Sequence, residues 1–188
     1  MKRSDIILVR HGEPDCDGRG RLNRTAFLDW LVCYATAGVT REPPQAAPCR
    51  VAASSVQAIF ASDLPRAKDS AAMLAGLLPV QTDTVFNEAD IAIAPFGFSL
   101  RPELWTAAGR LIWLAGASKQ ESFSDAKIRA ARAAATLLAE AELGSVLLVG
   151  HGWMNRMIAR VLVQHGMRRV ETTGSGFWSL IRFSQSAL

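Results

Sequence analysis

The chain is short of the residues that build a disulfide framework or a metal centre. Its 188 residues include three cysteines, Cys16, Cys33 and Cys49. They have no metal-ligand spacing, do not pair off evenly, and suit a reducing cytoplasm better than a disulfide scaffold. No other metal-ligand constellation appears. No apolar run is long enough for a membrane span, and the basic start "MKRSDIILVR" carries too short an apolar stretch for a signal peptide. Internal repeats, low-complexity tracts and domain linkers are also missing, so one domain over residues 1–188 is expected. The net charge of +4 comes from scattered Lys and Arg, and no basic run alternates with aromatics. A nucleic-acid surface is therefore not expected, whereas a pocket for an anionic ligand would use part of the excess.

What is present is an alternation of strand-like and helix-like runs. Strands are expected at 5–10, 56–63, 145–150 and 177–183, with a possible edge strand at 79–86. Helices are expected at 25–37, with Thr25 as cap, at 64–78 with Pro65 in the first turn, at 101–117, at 122–143 with Ser124 as cap, and at 153–165. The Pro-rich stretch 39–50 and the aperiodic stretch 87–100 read as loops. This order implies an α/β fold with a mostly parallel sheet, whose ligand site lies at the carboxyl ends of the strands.

Histidine is scarce too, with three in the chain. Two of them follow strands directly. The first strand runs into Arg10, His11, Gly12 and Glu13, the second into Ser62, Asp63 and Arg66, and the 145–150 strand into His151 and Gly152. Two arginines and two histidines on one sheet edge make a positive, partly desolvated hole. Arginine's fork suits phosphate oxygens, and helix N-termini near Gly12, Leu64 and Gly152 would add N–H donors. A cation in the first turn of a helix, as Arg66 is, opposes the helix dipole, and a bound anion would hold it there. The flanking cations favour a neutral imidazole, which has a lone pair to attack phosphorus.

The blocks "LVRHGEP", "SDLPRAKDSA" and "VGHGWMNRMI" resemble, in order and spacing, the signature blocks of the histidine phosphatase superfamily, the group that includes the cofactor-dependent phosphoglycerate mutases. The resemblance implies a phosphoglycerate mutase-like three-layer α/β/α sandwich with a mostly parallel central sheet. It implies His11 as the phosphoryl-carrying nucleophile, Arg10 and Arg66 as phosphate ligands, and His151 as the second histidine. Gly152 would supply a backbone donor or room. No metal and no cofactor is implied. The family's proton donor matches Glu88 in "FNEAD", with Asp90 and then Asp63 as substitutes. Ile91, Ile93, Phe96 and Phe98 would desolvate Glu88 if they fold over it. Members of the family carry a polar residue after "RHGE" and then an Asn- or Gly-rich segment that reaches the phosphate. Here Pro14 follows, with Arg21 and Asn23 as the groups within reach by sequence. Residues 89–121 would form a small cap, with Arg101 as an extra anion contact.

The function expected from this is a metal-independent phosphatase that hydrolyses phosphomonoesters through phospho-His11, acting on a small phosphorylated metabolite or a phosphoprotein. The alternatives are a mutase-type phosphoryl transfer and a noncatalytic phosphate- or phosphopeptide-binding module. No nucleic acid or membrane partner is expected.

Overall fold

The computed structural model describes residues 4–117 and 121–185. Its centre is a six-stranded sheet: β1 (Asp5–Arg10), β2 (Ala58–Ser62), β3 (Val80–Asp83), β4 (Val146–Gly150), β5 (Met167–Thr172) and β6 (Leu180–Gln185), in the order β3-β2-β4-β1-β6-β5. The pairs β3–β2, β2–β4 and β4–β1 are parallel, and β6 runs antiparallel to both β1 and β5. Helices cover both faces, giving the expected three layers.

The central strands β1, β2 and β4 are short apolar runs because both of their faces are covered. Ile6, Leu8, Phe60, Val146 and Leu148 face one core together with α5 (Phe123–Ala141) and α6 (Gly152–Gln164). Ile7, Val9, Ile59, Ala61, Leu147 and Val149 face the other, with α2 (Ala47–Ala53) and α3 (Pro65–Ala75). The alanines of α5, among them Ala126, Ala130, Ala133 and Ala134, let that helix lie close to the sheet. A third, aromatic cluster joins α1 (Arg24–Thr36) to α4 (Pro102–Leu114), with Phe27 and Trp105 fully buried.

Several expectations are corrected. Asn23, not Thr25, caps α1, accepting from the Ala26 N–H. Ser122, not Ser124, caps α5, in a reciprocal capping box with Asp125. The stretch 39–50 is not all loop: a short 3-10 turn, Pro44–Ala46, leads into α2. Its prolines fall in first turns, where the missing N–H costs nothing. The stretch 177–183 does not begin as a strand, because residues 177–178 form a turn before β6. The cysteine reading is corrected as well. Cys16 and Cys33 form a disulfide across a sequence separation of 17, with Cα atoms 6.1 Å apart, and Cys49 is a free, buried thiol. The pairing removes the cysteine-based argument for a reducing compartment.

Candidate active site

β2, β4 and β1 are adjacent and parallel, so their carboxyl ends share one edge of the sheet. The three strand-end motifs therefore meet. The rings of His11 and His151 lie 4.9 Å apart, centroid to centroid. Both are buried, at 2% and 0% exposure, and Arg66 is 4% exposed.

His11 has one ring nitrogen assigned by its partner. Nδ1 lies 2.7 Å from the Gly12 carbonyl oxygen. A carbonyl only accepts, so Nδ1 carries the proton and Nε2 of the neutral ring keeps its lone pair. Burial, the largest cause, together with Arg66 and Arg10, lowers the His11 pKa from 6.5 to about 3. Desolvation thus outweighs the cations in keeping this ring neutral. Gly12 is held from two sides. Its N–H donates to Ser70 Oγ at 2.8 Å, and a Cβ built on it would lie 2.6 Å from the Trp178 ring. No helix starts at Gly12, so the donor expected there is spent on Ser70.

His151 caps α6 by position. Its Nε2 lies 2.7 Å from Ser62 Oγ, and Ser62 Oγ lies 2.8 Å from Asn87 Oδ1, which also accepts from the Asp63 N–H. With Ser62 donating to Asn87, His151 Nε2 donates to Ser62. His151 Nδ1 is buried without a partner. Burial, then His11, Arg66 and Arg10, hold the His151 pKa well below its ordinary value.

The two arginines are braced by aromatic rings and carbonyls. Arg10 Cζ sits 4.6 Å from the Phe177 ring centroid, and its Nη1 donates to the Ser175 carbonyl. Arg66 Cζ sits 4.7 Å from the Tyr34 ring centroid, and its Nη1 donates to the Tyr34 carbonyl. The Nε atoms of both are buried and unpartnered. Gly152 opens α6 beside Arg10: a Cβ there would come within 3.4 Å of Arg10 Nε.

Glu88 joins the same end of α6. It accepts from the Trp153 and Met154 N–H groups at 3.2 and 2.9 Å, so these first-turn donors go to Glu88. The Arg110 guanidinium approaches it at 3.7 Å. Of the apolar residues expected around it, Ile93 and Phe96 pack into the Phe27–Trp105 cluster and Phe98 is exposed. Asp63 pairs with Lys68 at the surface. The Asp90 carbonyl accepts from Arg110, and the Asp90 carboxylate faces the Glu121 N–H. Arg21 donates to the Ser99 carbonyl and is exposed. Asn23 Oδ1 serves as the helix cap. Arg101 is exposed at the start of α4.

Four site neighbours escaped the sequence reading: Tyr34, Phe177, Asn87 and Arg110. Tyr34 had one usable signal, being the chain's single tyrosine.

The chain belongs to the histidine phosphatase superfamily, branch 1, whose family model matches residues 40–185. The "RHGE" block lies before that stretch and joins it through the β1–β4 and β1–β6 pairings. Among solved structures it is similar to a phosphoserine phosphatase from Entamoeba histolytica in complex with 3-phosphoglyceric acid: TM-score 0.63, 17% identity, covering 97% of this chain and 98% of that one. It is also similar to a mycobacterial glucosyl-3-phosphoglycerate phosphatase: TM-score 0.57, 23% identity, covering 87% of this chain and 81% of that one. Identities this low speak for the fold alone. No curated protein matches the chain in sequence. Among the described residues, no helix is long and apolar enough to cross a membrane.

Proposed function

We propose that this protein is a metal-independent phosphomonoesterase in which His11 Nε2 accepts the phosphoryl group of a small phosphorylated metabolite. The observation that carries the reading is the state of His11. Its proton is engaged by the Gly12 carbonyl, which leaves the lone pair on Nε2, and the neighbouring residues Arg10, Arg66 and His151 each keep one buried atom without a partner, Nε, Nε and Nδ1. One tetrahedral oxyanion supplies acceptors for all three, with His151 protonated on Nδ1 as the anion arrives.

The reaction has two steps. His11 Nε2 attacks phosphorus, the bond from phosphorus to the ester oxygen breaks, and Glu88 gives that oxygen its proton. A water then attacks the phosphohistidine and loses a proton to the Glu88 carboxylate. Inorganic phosphate leaves, and the electron pair of the N–P bond returns to Nε2. Arg10, Arg66 and His151 stabilise the charge on the three non-bridging oxygens. Gly152 leaves room for Arg10. Of the 89–121 segment expected to be a small cap, residues 118–120 lie outside the described residues; the described part acts as a cap, since Arg110 of α4 reaches Glu88 from it.

The test is hydrolysis of p-nitrophenyl phosphate with EDTA present, beside His11→Ala. Activity that survives EDTA, is lost in the variant, and leaves acid-labile phosphate on the wild-type protein after quenching supports the reading. Equal turnover by both proteins refutes it.

A further inference from the structure

The resemblance places a phosphate-reaching group in the segment after "RHGE". In this chain Asn23 Oδ1 accepts from the Ala26 N–H, Arg21 Nε donates to the Ser99 carbonyl, and Glu13 is exposed. The segment leads into α1, which carries Tyr34 to the mouth of the hole. The Tyr34 ring stands edge-on to His11, with centroids 6.4 Å apart and planes at 67°. It packs against Trp30 on the other side, at 4.9 Å. Its carbonyl holds Arg66 Nη1 at 3.0 Å, and its ring lies over the same guanidinium. The charged groups that act on its phenol are Arg66, Arg10 and Glu88, all members of the site, and Arg10 also donates a hydrogen bond to the phenol oxygen. A surface tyrosine serving only as packing would not have its hydroxyl among two phosphate-binding cations and the proton donor. The disulfide fixes this placement covalently, because Cys33 precedes Tyr34 and is tied to Cys16 in the loop after His11.

We propose that the Tyr34 phenol contacts the substrate, donating its O–H to a non-bridging phosphoryl oxygen. The inference rests on the phosphatase reading above. The phenol adds a donor that carries no charge of its own. Burial, the largest influence, raises its pKa, so the group remains an O–H donor at neutral pH and does not compete with Glu88 as a base.

Tyr34→Phe removes the hydroxyl and keeps both the ring over Arg66 and the backbone carbonyl on it. A hydrogen bond to a charged acceptor corresponds to roughly 10- to 100-fold. We expect that loss in the affinity for inorganic phosphate, measured by titration calorimetry, and in kcat/KM for p-nitrophenyl phosphate. The melting temperature without phosphate should fall only by the small amount that the lost Arg10–phenol hydrogen bond costs. Tyr34→Leu, which also removes the ring, should lower that melting temperature as well. A Tyr34→Phe protein with wild-type phosphate affinity and kcat/KM overturns the inference and leaves the phosphatase reading intact. A folded wild-type protein that neither binds phosphate nor turns over the ester overturns both.

Discussion

Acid should destabilise this protein through its two buried histidines, His11 and His151. His11 is buried and has its pKa lowered to about 3, against 6.5 in an unfolded chain. Between these values the unfolded chain binds a proton that the folded one refuses, so stability falls as pH drops through this window. From pH 7.5 to 5.0 the loss from His11 alone is about 2 kcal/mol, from RT ln[(1 + 10^1.5)/(1 + 10^−1)]. His151 is shifted in the same direction and for the same first cause, burial. It adds to the loss, by at most about the same amount, since its unfolded pKa sets the ceiling. The assay is urea unfolding at both pH values in phosphate-free buffer, for wild type and His11→Ala. Carboxylates that begin to titrate near pH 5 contribute equally to both proteins and cancel in the difference. The pH-dependent loss should be about 2 kcal/mol smaller in the variant, whatever its stability at pH 7.5. Equal pH dependence in the two proteins would refute the claim that His11 is held neutral by burial.

Four further outcomes follow from the geometry. Gly12→Ala drives a Cβ to 2.6 Å from the buried Trp178 ring; calorimetric melting should show a loss of about 1–3 kcal/mol or more, accompanied by loss of activity. Reducing the Cys16–Cys33 disulfide should cost roughly 3 kcal/mol in a denaturant titration, the value for a closed loop of this length. Glu88→Gln should lower kcat for alkyl phosphates by about 10²- to 10⁴-fold, and much less for p-nitrophenyl phosphate, whose leaving group needs no proton. Arg66→Met should abolish detectable phosphate binding in calorimetry while leaving phosphate-free stability unchanged or higher, because a buried cation without a carboxylate partner is replaced by an apolar side chain.

The parts of the fold that could be read from sequence are those where periodicity and burial agree. β1 and β4 are buried on both faces and announce themselves as apolar runs, and α5 shows a helical stripe, although its cap was read two residues late, at Ser124 instead of Ser122. β5, "MRRVET", was not legible. All but its first residue are exposed, so no alternation marks it, and its partner β6 is what makes it a strand. The α2 helix was hidden by prolines that fall at permitted positions. The site divides in the same way. Arg10, His11, Arg66 and His151 follow strands or open a helix next to one, and a parallel sheet must bring such residues to one edge. Tyr34 and Phe177 arrive from α1 and from the turn before β6. Those elements are placed by tertiary packing, by the Cys16–Cys33 bridge and by the Trp178 N–H bond to the Arg10 carbonyl, and no local pattern encodes any of these.

The same division explains why the site can keep its unpartnered polar atoms. Burying Arg66 and two histidines side by side opposes folding, through desolvation and through mutual repulsion when they are charged. The fold limits that cost by keeping both imidazoles neutral and by laying each guanidinium against an aromatic ring, Arg10 on Phe177 and Arg66 on Tyr34. Cation–π contact is worth about 0.5–2 kcal/mol in such places, less than an ion pair with a carboxylate would give. A carboxylate partner would occupy the same N–H groups that a phosphoryl oxygen needs, whereas an aromatic face leaves them available. The aromatic residues thus hold the two guanidiniums in place while leaving Arg10 Nε and Arg66 Nε without partners, and the oxyanion of the proposed reaction would supply those hydrogen bonds.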